Sequence, residues 1–141
     1  MIKKFQIRPY LSMDYSQVKS IYEESGLYDQ ENDSQQRLDE KISRDPTSII
    51  VAVDEERVVG TISLMEDGRM AFMFRLAVKS THRERGIGMA LLQAADEELQ
   101  RRGGLEINIL VDEQNQELKD YYTNRGYKEG HSYRWMYKER K

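Results

Sequence analysis

Cysteine is absent from the 141 residues, which excludes thiol nucleophiles, disulfides and cysteine-ligated zinc together. That composition suits a reducing cytoplasm. Long apolar runs are missing as well. No stretch approaches the roughly 20 residues needed to cross a bilayer, and Met-Ile-Lys-Lys-Phe at the start lacks the apolar segment of a secretion signal. The expectation is a cytoplasmic protein without membrane attachment. There is no excess of positive charge: 22 Lys and Arg against 25 Asp and Glu leave a formal net charge of −3, which argues against a dedicated nucleic-acid binder. His82 and His131 lie far apart with no third ligand in pattern, so no metal is expected. No repeat, low-complexity tract or linker interrupts the chain, and a single domain over residues 1–141 is the reading.

What is present reads as alternating strands and helices. Phe5 and Ile7 alternate with polar neighbours in an edge strand from Lys3 to Pro9. Asp14 is a suitable N-cap for a helix carrying Val18, Ile21 and Tyr22, which Gly26 stops. An acidic link, Leu27 to Asp33, precedes a second helix over Ser34–Arg44, thinly anchored by Leu38 and Ile42 and ended by Pro46. Ser48–Val53 and Val58–Met65 are strands joined by a charged hairpin turn, the second broken by Gly60. Asp67-Gly68 marks another tight turn, so the strand Met70–Val78 returns antiparallel. A helix from about Gly88 places Leu91, Leu92, Ala95 and Leu99 on one face and ends at Gly103-Gly104, with Arg101 and Arg102 suited to its negative end. A strand over Leu105–Val111 follows in a parallel βαβ unit. Asn115 caps a last helix, Gly126 stops it, and Tyr127 with His131–Tyr137 forms a closing hairpin.

The densest signal is Arg75-Leu-Ala-Val-Lys-Ser-Thr-His-Arg-Glu-Arg-Gly-Ile-Gly-Met-Ala-Leu-Leu92. Between strand and helix stands Arg83-x-x-Gly86-x-Gly88, where two glycines let the backbone turn tightly and point amides at a ligand. The positive helix end and two arginines, Arg83 and Arg85, select a phosphate or pyrophosphate. A dinucleotide fingerprint would need glycine or alanine where Leu91 stands, and the Gly-Lys-Ser/Thr of a P-loop is missing. An ordinary strand-to-helix turn is the bland reading of the glycines alone. The run as a whole resembles the acetyl-CoA signature of the GNAT family of N-acetyltransferases. A second family signature, Asn-x-x-Ala-x-x-x-Tyr-x-x-x-Gly-Phe, is matched in register by Asn115, Tyr122 and Gly126, with Leu118 and Tyr127 as departures.

The resemblance implies a mixed α/β fold in the order β-α-α-β-β-β-α-β-α-β-β, with two parallel central strands that splay apart around the pantetheine arm. It implies acetyl-CoA as co-substrate and a primary amine, of a small molecule or of a protein N-terminus or lysine, as acceptor. Leu76, Ala77 and Val78 would line the arm, the Val78 amide serving the oxyanion. Arg83, Glu84, Arg85, Gly86, Ile87, Gly88 and Met89 would hold the pyrophosphate, and Asn115 the arm. Many relatives are homodimers, a state the resemblance leaves open.

Transfer from a thioester to an amine requires a neutral amine, a stabilised oxyanion and a protonated leaving thiolate. Tyr122 matches the family position of the general acid, while Tyr121, about 100° round the helix, does not. A general base is harder to find. Many relatives carry a glutamate on the strand before the loop, whereas Met70–Val78 has only Arg75 as a charge. Glu66, Asp67, Asp112 and Glu113 are candidates only by their positions at strand ends, where such a residue is more often a solvated turn residue. Tyr28, Asp29, Glu31, Asp33, His131, Tyr133 and Trp135 border the side where acceptors enter in the family; acidic and aromatic groups suit a cationic amine. Two alternatives stand beside the enzyme: a non-catalytic acyl-CoA sensor of the same fold, and a phosphate- or RNA-binding module using Lys79, His82, Arg83 and Arg85.

Overall fold

The apolar stretches pair in sequence order. In the computed structural model, which describes residues 5–139, β1 (Gln6–Pro9), β2 (Ile49–Asp54), β3 (Arg57–Glu66), β4 (Met70–Val78) and β5 (Glu106–Asn108) form one sheet in the order β1-β2-β3-β4-β5. All neighbours are antiparallel except β4 and β5, which run parallel as a βαβ unit requires. Between the strands lie α1 (Tyr15–Glu24), α2 (Gln35–Arg44) and α3 (Ile87–Arg101), and α4 (Gln116–Thr123) follows β5. The chain divides between Ile109 and Leu110 into two compact units. The first carries the sheet and α1–α3; the second carries α4 and the residues after it. No helix among the described residues is long and apolar enough to cross a membrane.

Helix α3 buries Ile87, Leu91, Leu92, Ala95 and Leu99, the expected face extended by one residue because the helix starts at Ile87 rather than Gly88. Ile87, Leu91, Leu92 and Leu99 each contribute about 1.5–3 kcal/mol on burial, and the methyl of Ala95 less. A second cluster joins Val18, Ile21 and Tyr22 of α1 and Leu38 of α2 to Ile49, Val51 and Ala77 of the sheet. The interruption expected at Gly60 is a bulge: Val58 faces Val53 and Gly60 faces Ala52, which leaves Val59 as an extra residue, and the strand then continues to Glu66. The role of Gly60 is close approach: a Cβ there would stand 3.0 Å from both Ile87 Cγ2 and Leu91 Cδ1. The missing side chain therefore sets how near α3 lies to the sheet.

Several expectations need correction. Asp14 does not cap α1; its carboxylate accepts the Leu11 amide at 2.8 Å and pairs with Arg8 through two bonds of 2.8 and 2.9 Å. The start of the expected first strand, Lys3 and Lys4, lies outside the described residues, and β5 is shorter than Leu105–Val111. The closing hairpin is not formed: residues 127–139 contain no strand, and residues 128–139 are exposed. An alternating aromatic pattern covers no apolar face there, and an isolated two-stranded ribbon is marginal in water. Helix α2 is better held than its two apolar contacts suggested. Ser34 caps it through the Arg37 amide, and Lys41 Nζ donates to Leu64 O at 2.6 Å.

The far end of α2 is tied by Arg102. Its guanidinium makes two 2.8 Å bonds to Asp45, one of 2.9 Å to Glu98 and one of 3.3 Å to Glu66, joining α2, α3 and β3. Arg102 holds the Asp45 carboxyl below its ordinary range. Burial pulls Glu98 up, but bonds from Arg101 and Arg102 outweigh it and leave it lowered.

Two outcomes follow from these contacts. Gly60→Val should lower stability by about 1–3 kcal/mol through overpacking, read as a fall in the urea midpoint with an unchanged slope. Because Asp45 and Glu98 titrate lower in the folded state, the stability they provide is complete above their ordinary pKa values of 3.8 and 4.5 and is lost as pH falls through the folded values. Arg102→Met should flatten that acid limb of a stability–pH curve measured by thermal unfolding.

Candidate active site

The turn after β4 is built as the two glycines require. Val78 ends the strand, a 3-10 turn spans Ser80–His82, and the chain reaches α3 through Glu84 at φ +64° and Gly86 at φ +81°. Both angles lie in the left-handed region, which glycine occupies freely and glutamate at a cost. The first intrahelical bond runs from the Ala90 amide to Gly86 O at 3.0 Å. The amides of Ile87, Gly88 and Met89 thus have no acceptor within the helix, and no side chain caps the end. Space around Gly86 is open, with nothing within 4 Å of an added Cβ. Glu84 and Arg85 are exposed, and Arg83 Nε donates to Val78 O at 3.1 Å. Three free amides at a positive helix end beside two arginines fit a pyrophosphate.

Two tethers and one internal bond fix this turn. The Ser80 amide donates to Glu24 Oε1 at 2.5 Å and holds that carboxyl below its ordinary range. His82 Nε2 lies 3.0 Å from Asp54 Oδ2, and its Nδ1 lies 2.8 Å from Thr81 Oγ1. His82 therefore ties the turn to the end of β2. Neither Glu24 nor Asp54 carried a signal in the sequence.

Strand β4 is bulged. Thr61 faces Ala77 and Ser63 faces Phe74, so β4 holds one residue more than β3 over this span. Arg75 sits in the bulge at φ +54°. As a result two consecutive side chains turn to the same face: Phe74 lies under Lys41 of α2, 5.1 Å from Nζ to the ring, and Arg75 lies over Tyr22 of α1 at 5.9 Å. Beyond the bulge regular pairing resumes, with the Lys79 amide donating to Val59 O at 2.8 Å. Alternation along an antiparallel pair then turns the Val78 amide and the Leu76 carbonyl away from β3. On that other side β5 pairs only with Met70, Ala71 and Phe72 and ends at Asn108, whose Nδ2 donates to Ala71 O at 3.1 Å. The parallel pair is thus three residues long, and among the described residues no strand pairs with Leu76–Val78 on that side.

Leu76, Ala77, Val78 and the residues Arg83–Met89 are consecutive parts of one strand–turn–helix segment of the first unit. Asn115 and Tyr122 belong to the second unit. Asn115 Oδ1 accepts the Leu118 amide at 2.9 Å, the N-cap bond expected of it. Tyr122 packs edge-on to Tyr121 and Tyr127, with ring centroids 5.3 and 5.4 Å away. Burial, then Tyr121, pushes its phenol above the ordinary value of 10.0, with Arg125 opposing, so the hydroxyl carries its proton at neutral pH. The Tyr121 ring is covered by Arg125, stacked 3.5 Å from its centroid.

The candidate bases are engaged elsewhere. Glu66 accepts the Gly68 amide and pairs with Arg102, while Asp67 holds its own turn through the Arg69 and Met70 amides, which keep its carboxyl down at about 2. Both stand at the opposite end of the β3–β4 hairpin from Val78. Asp112 accepts the Gln114 amide, and Glu113 accepts the Ser132 hydroxyl at 3.4 Å. In the α1–α2 loop, Asp29 accepts the amides of Glu31 and Asn32 and is held ionised by them. Asp33 is buried, its carboxylate paired with Arg75.

A model of the acetyltransferase (GNAT) family matches residues 15–127. The chain belongs to the GNAT acetyltransferase family. Its fold is similar to those of solved GNAT-type proteins. Ard1 from Thermoplasma volcanium is 23% identical, with a TM-score of 0.78 over 88% of this chain and 82% of that one. The PaiA N-acetyltransferase of Thermoplasma acidophilum, solved with coenzyme A, gives 23% and 0.78 over 89% and 91%. An aminoglycoside acetyltransferase from an uncultured soil metagenomic sample gives 20% and 0.76 over 97% of both chains. In this GNAT chain Gly86→Ala meets no atom and should cost only the left-handed backbone, about 1–2 kcal/mol. A thermal unfolding series comparing it with Gly88→Ala, at a right-handed helical position, would isolate that strain.

Proposed function

We propose that the protein transfers an acetyl group from acetyl-CoA to a primary amine, of a small molecule or of a protein N-terminus or lysine, by direct attack in a ternary complex. The observation that carries the reading is the continuous segment from the open edge of Leu76–Val78 to the three free amides of Ile87, Gly88 and Met89. The strand edge offers the Val78 amide and the Leu76 carbonyl to a pantetheine arm, and the Arg83–Met89 turn offers amides and guanidinium groups to a pyrophosphate. Acetyl-CoA supplies the activated acyl group; the chain's own part is to bind it, orient its carbonyl and return a proton. The Val78 amide is the oxyanion donor in this reading. Tyr122, kept protonated by burial, is the general acid for the departing thiolate, and Asn115 serves the arm while capping α4. The match over residues 15–127 crosses the boundary between the two units, which supports treating the chain as one GNAT domain.

A second reading is favoured by one observation. The β4 bulge carries an arginine, and the carboxylate nearest to it, Asp33, is neutralised by that arginine. A sensor that binds acyl-CoA without turnover would need no base there.

Calorimetric titration with acetyl-CoA, with desulfo-CoA and ADP as controls, tests the site. Micromolar affinity, about −8 kcal/mol, is expected for the wild type and none for Gly86→Glu, whose side chain would occupy the pyrophosphate seat. Affinity no better than for ADP, or retained in Gly86→Glu, overturns the assignment. Tyr122→Phe separates the two readings: an enzyme should lose about 100-fold in kcat and a sensor nothing. The rate should rise with pH as the acceptor amine loses its proton, and because the Tyr122 pKa is raised, the fall from loss of the acid should appear only on the alkaline side of pH 10.

A further inference from the structure

Arg75 occupies a conformation that an L-residue with a long side chain seldom adopts, inside a strand, beside the proposed acyl site. Backbone in the left-handed region persists where surrounding contacts over-determine it. Here the contacts are specific. Arg75 Nη2 lies 3.0 Å from Asp33 Oδ2 and its Nε 3.3 Å from Oδ1, a two-point fork, and the guanidinium covers the Tyr22 ring. The partner is itself fixed: the Asp29 amide donates to Asp33 Oδ2 at 2.9 Å, and Tyr15 Oη donates to Asp33 O at 2.9 Å. The Asp33 side chain is 7% exposed and that of Arg75 27%, so the pair is largely shielded from solvent and salt. A lysine would reach the carboxylate with one point charge and could not reproduce the fork.

We propose that Arg75 and Asp33 form a positioning pair, which locks the β4 bulge to the α1–α2 loop and thereby aims the Val78 amide at the acyl group. The inference rests on the acetyl-transfer reading above for what that amide acts on. The pair touches neither the pyrophosphate turn nor α4 in its own bonds. Its loss should therefore affect the acyl-transfer step and leave the anchoring of coenzyme A largely intact. The bulge also makes the loop and the strand interdependent. Releasing Asp33 frees residues 27–33, and releasing Arg75 frees the register of residues 75–78.

The test compares wild type, Arg75→Gln, Asp33→Asn, the double variant and Arg75→Lys. Acetyl-CoA binding is followed by calorimetry, turnover by free-thiol release with the amine that the wild type accepts, and backbone order by amide hydrogen exchange. Each single variant should keep acetyl-CoA affinity within about threefold and lose 10- to 100-fold in kcat. The double variant should be no worse than either single, because the two side chains act as a unit, and Arg75→Lys should recover only part of the loss. Exchange should speed up by 10-fold or more at residues 27–33 and 76–78 in all variants lacking the fork. Unchanged kcat, multiplicative losses in the double variant, or unchanged exchange would each overturn the pair. If a variant melts below the assay temperature, Arg75→Lys, which keeps the charge, supplies the same comparison. A wild type that does not bind acetyl-CoA would overturn the functional reading instead, and the exchange data alone would then decide whether the lock exists.

Discussion

The geometry of this protein depends on one inserted residue in β4. Without the bulge, pairing with β3 would continue in strict alternation, and Phe74 and Arg75 would face opposite sides of the sheet. With it, both meet the α1 and α2 side, one under Lys41 and the other over Tyr22. The loop before α2 is drawn to the strand through Asp33, and β4 parts from β5 after three paired residues. An exposed strand edge in the middle of a sheet is ordinarily a liability that a protein covers. In the function proposed above, the cover is a ligand that is itself an amide-bearing chain.

Much of the fold was legible in the sequence because its signals are local. The helical spacing of Leu91, Leu92, Ala95 and Leu99, the Asp67-Gly68 turn, the Ser34 region and the Gly103-Gly104 stop each act within a few residues of their own position, and each of these elements formed within a few residues of its expected bounds. The strand–turn–helix segment was legible for the same reason, since Gly86 can be recognised as a left-handed hinge before any tertiary contact exists. The Asn115 cap is equally local.

What the sequence concealed is long-range. Nothing near Asp33 announces Arg75, 42 positions away. Arg102 read as a helix-end charge and is instead a junction of three elements. Asp14, a good N-cap by type, was claimed by Arg8 across the turn. Gly60 does mark an irregularity in β3, but its further use, admitting a helix at close range, depends on residues 27 and 31 positions later. The aromatic alternation after residue 130 is a true strand pattern whose expression needs an apolar surface to lie on, and local spacing cannot supply one. Side-chain type indicates which bonds are possible; topology decides which are made.

The Arg102 junction has a mechanical consequence. It fastens the end of β3, the end of α2 and the last turn of α3 at one pole of the first unit, while the Arg83–Met89 turn begins α3 at the other, about 21 Å away along the helix. That other end is held too, by Glu24 on Ser80, by Asp54 on His82 and by the burial of Ile87, so α3 is a strut braced at both ends. A strut of this kind passes a push on its first turn along to its last instead of absorbing it locally, because the close-packed core between them yields little.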